Sequence, residues 1–403
     1  MRFLNNQLIN EFFRGFHIQR WNDRVRPMDL IEIDKHSHKM LIAFIIAKYE
    51  EDRGNSIDWN FIIQDSIFEL LRRIVISDIK SPIYQEIRKN QEVFKKLNEY
   101  IFSTLEPILE NLELKNEFQL FLYQQKDPNE LNNRVMEAAH IYASLWEFQI
   151  IETANPKNYQ NEKILTDLNN RISPYQDLAG IDKLLNHHTI KNFVDLFGSL
   201  RFQIRWAQIP RLPKTSVLGH SLLVAILSYL FARENNASQK RLYNAFWGGL
   251  FHDLPEAATR DIISPVKTSS IELDNLIKSI ESELAENEIY PLLEPSWINE
   301  IKYFVENEFS NKIINKSNQI EIIQSTEEIN SVYNSDEYSP YDGQLIRAAD
   351  RLAAFLEAYH SCDVGIDPEE LRTAGKKIKE DNIDKVFGKV IMREIYANYN
   401  NIK

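Results

Sequence analysis

The sequence predicts an all-α protein, and three observations carry that expectation. Apolar residues recur three and four apart through most of the 403 residues, as in Leu223, Ile226, Leu227 and Leu230, which lays an apolar stripe along a helix face. Apolar/polar alternation bounded by turns, the mark of half-buried strands, is scarce. Pro82, Pro107, Pro128, Pro174 and Pro265 punctuate the periodic runs as helix breakers do.

Taken in order, residues 1–154 read as a helical half, and the segment from Asn155 to Ala179, with the breaker clusters NPKNYQNEK and SPYQD, reads as a linker. Residues 180–403 form a second helical half. Within it the polar stretch from Asn307 to Ser339 reads as a helix with a mobile loop. A chain of this length, 43% hydrophobic, can build two cores. The net charge of −12 argues against long nucleic acid as a partner, because a phosphate-backbone footprint needs basic surface. With Cys362 the single cysteine, no internal disulfide forms. No signal-like start and no apolar run of about 18 residues stands out, so the expectation is a cytoplasmic chain with no membrane partner. No GxGxxG or GxxxxGK[ST] run offers a loop to cradle phosphate, so phosphate must be held by side chains and a metal.

The second half carries polar groups inside apolar runs, where a buried polar atom needs a partner. His220 opens GHSLLVAILSYLF, His252-Asp253 follow AFWGGLF, and Asp350 ends LIRAAD. Two imidazoles and two carboxylates on helical segments form an N₂O₂ set that suits one divalent ion: Mn, Co, Fe, Mg, Ni or Zn. Glu256 follows His252 by four residues, which on one helix places both on the same face and makes Glu256 the candidate acid/base beside Asp253. Arg205 offers a planar fork to the oxygens of a dianionic phosphate.

The blocks RWAQIPRLPKTSVLGHS, FHDLPEAATRDIISPVK and IRAAD resemble the HD-domain phosphohydrolases, and within them the YfbR-like 5′-nucleotidases, over about residues 195–360. The resemblance implies a helical bundle whose H…HD…D ligands, here His220, His252, Asp253 and Asp350, hold one divalent ion. It implies removal of phosphate from deoxyribonucleoside 5′-monophosphates, with Arg205 on the phosphate, Trp206 against the sugar and Asp261 on the 3′-hydroxyl. The chain departs from the pattern at Ser216 and Gly219, where the family has more polar residues, and at Arg260, where it often has Gly.

The first half echoes the second. Arg20-Trp21, His36-Ser37, SDIKSP from Ser77 and AAH ending at His140 parallel Arg205-Trp206, His220-Ser221, RDIISP from Arg260 and AAD ending at Asp350. The offsets stay near 184 residues and grow to 210 for the last pair, so extra residues are expected in the second copy before Asp350. Glu69, Leu70 and Arg73 stand where His252, Asp253 and Glu256 stand, which predicts a first copy without a metal. The expected architecture is therefore two HD-like bundles: a degenerate domain at 1–154, a linker at 155–179 and a catalytic domain at 180–403. The chain is then a monomer acting as an intrachain pseudo-dimer, or a homodimer. The expected activity is a 5′-nucleotidase on small nucleotides. The alternatives are an HD phosphohydrolase of a dNTP, cyclic nucleotide or guanosine polyphosphate, for which Arg211, Lys214, Arg260 and Lys267 could serve, or a non-catalytic nucleotide-binding scaffold.

Overall fold

A computed structural model describes residues 2–77, 79–259 and 270–399. Helices dominate it, and side-chain caps start many of them. Asn5 accepts from the Leu8 amide, Asp58 from Phe61 and Ser216 from Gly219, each satisfying a donor that the first helical turn leaves open.

Two long helices, Glu32–Asp52 and Val217–Glu234, pack against each other at the centre. Both are buried nearly all round, which is why neither shows a clean one-sided stripe. Val217–Glu234 is long and apolar enough to span a membrane by length and composition, contrary to the expectation that no such run exists; here that apolar surface lies inside the core. Gly219 is the contact point with the partner helix. A Cβ there would stand 2.7 Å from both Asp34 Oδ1 and Phe16 Cε1, and Ser216 Oγ donates to Asp34 at 2.5 Å. The departures at 216 and 219 thus make room for the first half.

One contiguous core runs from Phe3 to Tyr399, and contacts cross it between residues early and late in the chain. His188–Ser199 lies on the first half, where the Val194 carbonyl accepts from His38 Nε2 at 3.0 Å and Trp146 Nε1 donates to Asp195 at 2.6 Å. Asn6–Phe13 packs mainly on Trp59–Val75 of its own half and also reaches the second, with the Phe13 ring stacked on His360 at 4.3 Å and Asn10 accepting from the Tyr399 hydroxyl. Between the halves the segment 155–179 holds a helix of its own, Tyr159–Ile172, packed on Leu131–Ala154.

The stretch from Asn307 to Ser339 departs from its helical expectation. Strand Asn311–Ile314 pairs antiparallel with Ile320–Ile322 on one side and with Tyr341–Asp342 on the other. The reversal runs through Asn318 at φ 58°, a conformation that asparagine tolerates. Ile313, Ile323 and Ile329 close a small separate cluster beneath this sheet.

Candidate metal centre

His220 sits in the first turn of Val217–Glu234, and His252-Asp253 directly follow the helix Gln239–Phe251. Those two helices meet closely because Gly249 lacks a side chain: a Cβ there would come within 2.7 Å of the Ala225 Cα. Asp350 lies on Gly343–Asp363, which packs on Val217–Glu234. The four predicted ligands thus come from three segments around one point. The ligand atoms of His220, His252 and Asp253 all lie within 4.8 Å of one another; Asp350 falls outside that mutually close group but touches it through His220, its Oδ1 3.1 Å from His220 Nε2.

Hydrogen bonding fixes which way the imidazoles face. His252 Nδ1 lies 2.8 Å from the Gly249 carbonyl, which can only accept, so Nδ1 carries the proton and Nε2 presents its lone pair. His220 Nδ1 lies 3.2 Å from Glu357 Oε1, which orients it the same way. Each lone pair then meets a carboxylate oxygen, His220 Nε2 at Asp350 and His252 Nε2 at Asp253 Oδ2, both at 3.1 Å. Two acceptors at that distance repel unless a proton or a metal cation lies between them, and beyond this contact neither His252 Nε2 nor Asp253 Oδ2 has a hydrogen-bond partner among the described residues. Ligands held about 2.1 Å from one ion stand roughly 3 to 4 Å apart, so His220, His252 and Asp253 fit one divalent ion, and Asp350 completes the N₂O₂ set when its side chain shifts towards them.

The electrostatics agree. Burial alone would lower the His252 pKa, but Asp253 and then Asp350 outweigh it and raise it to about 9. Burial likewise opposes ionisation of Asp253 and Asp350, yet the adjacent imidazoles, His252 first for Asp253 and His220 first for Asp350, hold both carboxyls below their ordinary range. In metal-free protein a proton does the work of the missing cation.

Glu357, which the sequence does not single out, joins the site. Fully buried, it takes hydrogen bonds from Trp206 Nε1 at 2.7 Å, Thr215 Oγ1 at 2.9 Å and Arg205 Nε at 3.3 Å, besides facing His220. Burial raises its pKa, but the Arg205 guanidinium and His220 outweigh this and keep it well below the usual carboxylate range. The available signal was its position seven residues after Asp350, two turns along one face.

Arg205 and Trp206 lie beside the ligand cluster. Arg205 Nη1 is 3.7 Å from Asp253 Oδ2, so its guanidinium borders the ligand cluster. Trp206 adopts φ 57°, a strained conformation for a bulky residue, stabilised by its bond to Glu357. A cavity of about 290 Å³ follows this loop, lined by residues 204–211 and Lys214. Arg211 is committed to the loop itself, donating to the carbonyls of Pro213 and Arg205 and to Thr215 Oγ1, so it offers little to extra phosphates.

Glu256 departs from its expected geometry. The helix stops at Phe251, and residues 252–255 form tight turns before a four-residue helix, Glu256–Thr259, so His252 and Glu256 do not share one helix face. Pro255 is the cause: it lacks an amide proton and disfavours helical backbone at Leu254. Glu256 is largely buried, and its backbone carbonyl accepts from Gln203 Nε2 at 3.0 Å. Arg260, Asp261, Pro265 and Lys267, like Asp78, lie outside the described residues.

The corresponding loop of the first half has the same backbone form. Trp21 adopts φ 54°, and its indole and Arg20 Nε both donate to buried Glu147 at 2.9 Å. Isolated backbone bridges join Gln19 to Ile31 and Ile204 to Ser216, each residue 185 positions from its counterpart. Glu147 and Glu357 are 210 apart, the same offset as His140 and Asp350.

Residues 197–379, a little under half of the chain, match the family model described as HD domain. No curated protein matches the chain. HD domains are in general metal-dependent phosphohydrolases that bind divalent ions, and this segment contains all four ligands together with Arg205, Glu256 and Glu357.

Proposed function

We propose that the HD domain of this chain is a 5′-nucleotidase that releases phosphate from (deoxy)nucleoside 5′-monophosphates. The observation that carries the reading is the Arg205 guanidinium 3.7 Å from Asp253, which sets a phosphate-gripping fork directly beside the N₂O₂ cluster. His220, His252, Asp253 and Asp350 would hold a divalent ion, which when bound supplies Lewis acidity to a phosphoryl oxygen and lowers the pKa of water. Arg205 draws in the phosphate dianion and stabilises charge on its oxygens during transfer. Glu357 keeps Arg205, Trp206 and His220 in register with one another. Glu256 is the group that carries a proton to or from the reacting oxygens, and Trp206 and Asp261 contact the sugar.

The parallel loops, the paired glutamates and the recurring offsets support a further part of the reading. Residues 1–154 are a degenerate HD-like copy, 155–179 join the copies, and 180–403 are the catalytic copy. The strands between Asn311 and Asp342 supply the extra length expected before Asp350. The shared core supports reading the chain as an intrachain pseudo-dimer. Expression of residues 180–403 alone tests this: a stable, active monomer contradicts it, and aggregation through the uncovered face of Val217–Glu234 agrees with it.

The activity is tested with a panel of nucleotides assayed with Mn²⁺, Co²⁺, Mg²⁺ and Fe²⁺, reading phosphate and pyrophosphate separately. Orthophosphate from monophosphates is the expected result. Pyrophosphate or tripolyphosphate from dNTPs, or opening of a cyclic nucleotide, replaces the substrate while keeping the metal centre. No turnover of any nucleotide contradicts the reading.

A further inference from the structure

Helix Glu32–Asp52 carries two lysines that end inside the protein, Lys35 at 1% and Lys39 at 0% exposure. Lys39 Nζ donates to Glu69 Oε2 at 3.0 Å. Lys35 Nζ has no carboxylate within hydrogen-bonding distance among the described residues. It meets only the His140 ring, whose Nδ1 and Nε2 lie 2.9 and 3.2 Å away. One neutral imidazole accepts one hydrogen bond, and an ammonium offers three.

The surroundings deepen the imbalance. Arg20 reaches Glu32 at 2.7 Å and Glu147 at 2.9 Å, Arg73 reaches Glu32 at 3.5 Å, and Arg72 reaches Glu69 at 3.5 Å. Arg20, Lys35, Lys39, Arg72 and Arg73 thus face Glu32, Glu69 and Glu147, even with Arg201, which also reaches Glu147, set against nearby Asp34. With Lys35 protonated the cluster holds two more cations than carboxylates; Asp65 and Glu137, whose charges also act on Arg72, are paired with Lys126 and with Arg88 and Arg171. Burial, then the neighbouring Arg20 charge, draws the Lys35 amine well below the usual lysine range, as expected of a cation without its anion. The cluster is also accessible: Arg20, Arg72, Arg73 and Glu69 are between 12 and 16% exposed, and Trp21 and His140 are half-buried.

We propose that this cluster is a second, non-hydrolytic site that binds a phosphate dianion, free or as the end of a small phosphate monoester. A surplus of two positive charges matches a dianion, and the arginine forks and lysine donors match its oxygens. His36, Glu69 and His140 stand at the positions of His220, His252 and Asp350, so Lys39, and Lys35 once a bound anion keeps it protonated, supply covalently the charge that a metal would supply in the other half. Nothing in this requires turnover at the metal centre, so it stands or falls independently of the nucleotidase reading.

The test uses the full-length chain carrying Arg205→Ala and Asp253→Ala, stripped of metal with EDTA, so that the second half contributes neither fork nor ion. Calorimetric titration with inorganic phosphate is expected to give one site per chain, and phosphate is expected to raise the thermal midpoint. Lys35→Gln and Lys39→Gln are each expected to weaken binding by about tenfold or more. Should either fail to fold, Arg73→Gln, at the exposed rim, is expected to weaken it as well. A nucleoside 5′-monophosphate titrated in parallel separates the sources: tighter binding than phosphate assigns a monoester, and equal or weaker binding assigns the free ion. No heat and no change in Tm with either probe at about 10 mM overturns the proposal, as does binding that the substitutions leave unchanged.

Discussion

Glu357 and Glu147 occupy matching places in the two halves, each buried and each taking a tryptophan indole and an arginine Nε, yet what gathers beyond them is opposite. Around Glu357 stand imidazoles and carboxylates with facing lone pairs and too little positive charge. Around Glu147 stand lysines and arginines with too much. The difference teaches how one helical frame can tolerate a buried polar centre in two ways. The positive charge is either borrowed from solution as an ion or built in as basic side chains, and only the first arrangement supplies the Lewis acid that hydrolysis needs.

The sharpest way to break the comparison is to remove a ligand. Asp253→Ala is expected to abolish stoichiometric metal binding and, like Glu256→Ala, to lower kcat by about 10² or more. Leu70→Ala, at the position matching Asp253, is expected to cost about 2 to 5 kcal/mol of stability as a core cavity while leaving metal content unchanged. Metal analysis and denaturant unfolding read the two effects separately.

Next in size is Arg205→Ala, expected to lower kcat/KM by about 10², with Arg205→Lys restoring only part because a point charge lacks the fork. Steady-state kinetics across the nucleotide panel check this, and an unchanged kcat/KM removes Arg205 from the site. The glutamates sharpen the comparison further. Glu357→Gln is expected to weaken metal affinity by about 10- to 100-fold, because the His220 ring loses the carboxylate that fixes its tautomer. Glu147→Gln leaves Arg20 and Arg201 less compensated and is expected to cost about 3 kcal/mol with metal affinity unaltered.

The smallest expected effect is in pH dependence, where the halves differ in sign. Burial, followed by other influences that leave the net shift downward, lowers His36 to about 4 and His38 to about 3. The unfolded state therefore binds more protons, and stability contributed by these residues is lost as pH falls from about 6.5 towards 4. His252, raised to about 9 in metal-free protein, contributes stability that is present below about 6.5 and lost as pH rises through 9. Unfolding of EDTA-treated protein from pH 4 to 10 should show both slopes, and His36→Leu should flatten the acid one. A His36→Leu profile identical to wild type contradicts the assignment.

Much of the second half was legible because its chemistry is written against an apolar background. His220, His252-Asp253 and Asp350 interrupt core runs, and a polar group there must be satisfied by something. Glu357 was not legible because LAAFLEAY reads as an amphipathic helix with one solvated glutamate. Lys35 and Lys39 were hidden for the same reason: lysines in EIDKHSHKM look like a wet face until the helix is seen to be enclosed on all sides. The sheet escaped because Ile320–Ile322 is short and exposed, so its pairing depends on Asn311–Ile314 and Tyr341–Asp342 more than on its own pattern. The break before Glu256 was foreseeable from Pro255 and was overridden by the helical spacing of His252 and Glu256.

The central claim is that His220, His252, Asp253 and Asp350 enclose one cation. Anomalous diffraction from crystals grown with Mn²⁺ tests it most directly. The account predicts a single strong peak per chain within coordination distance of all four side chains, and none among His36, Glu69 and His140. A peak elsewhere, or Asp350 turned away from an ion held by the other three, would contradict it.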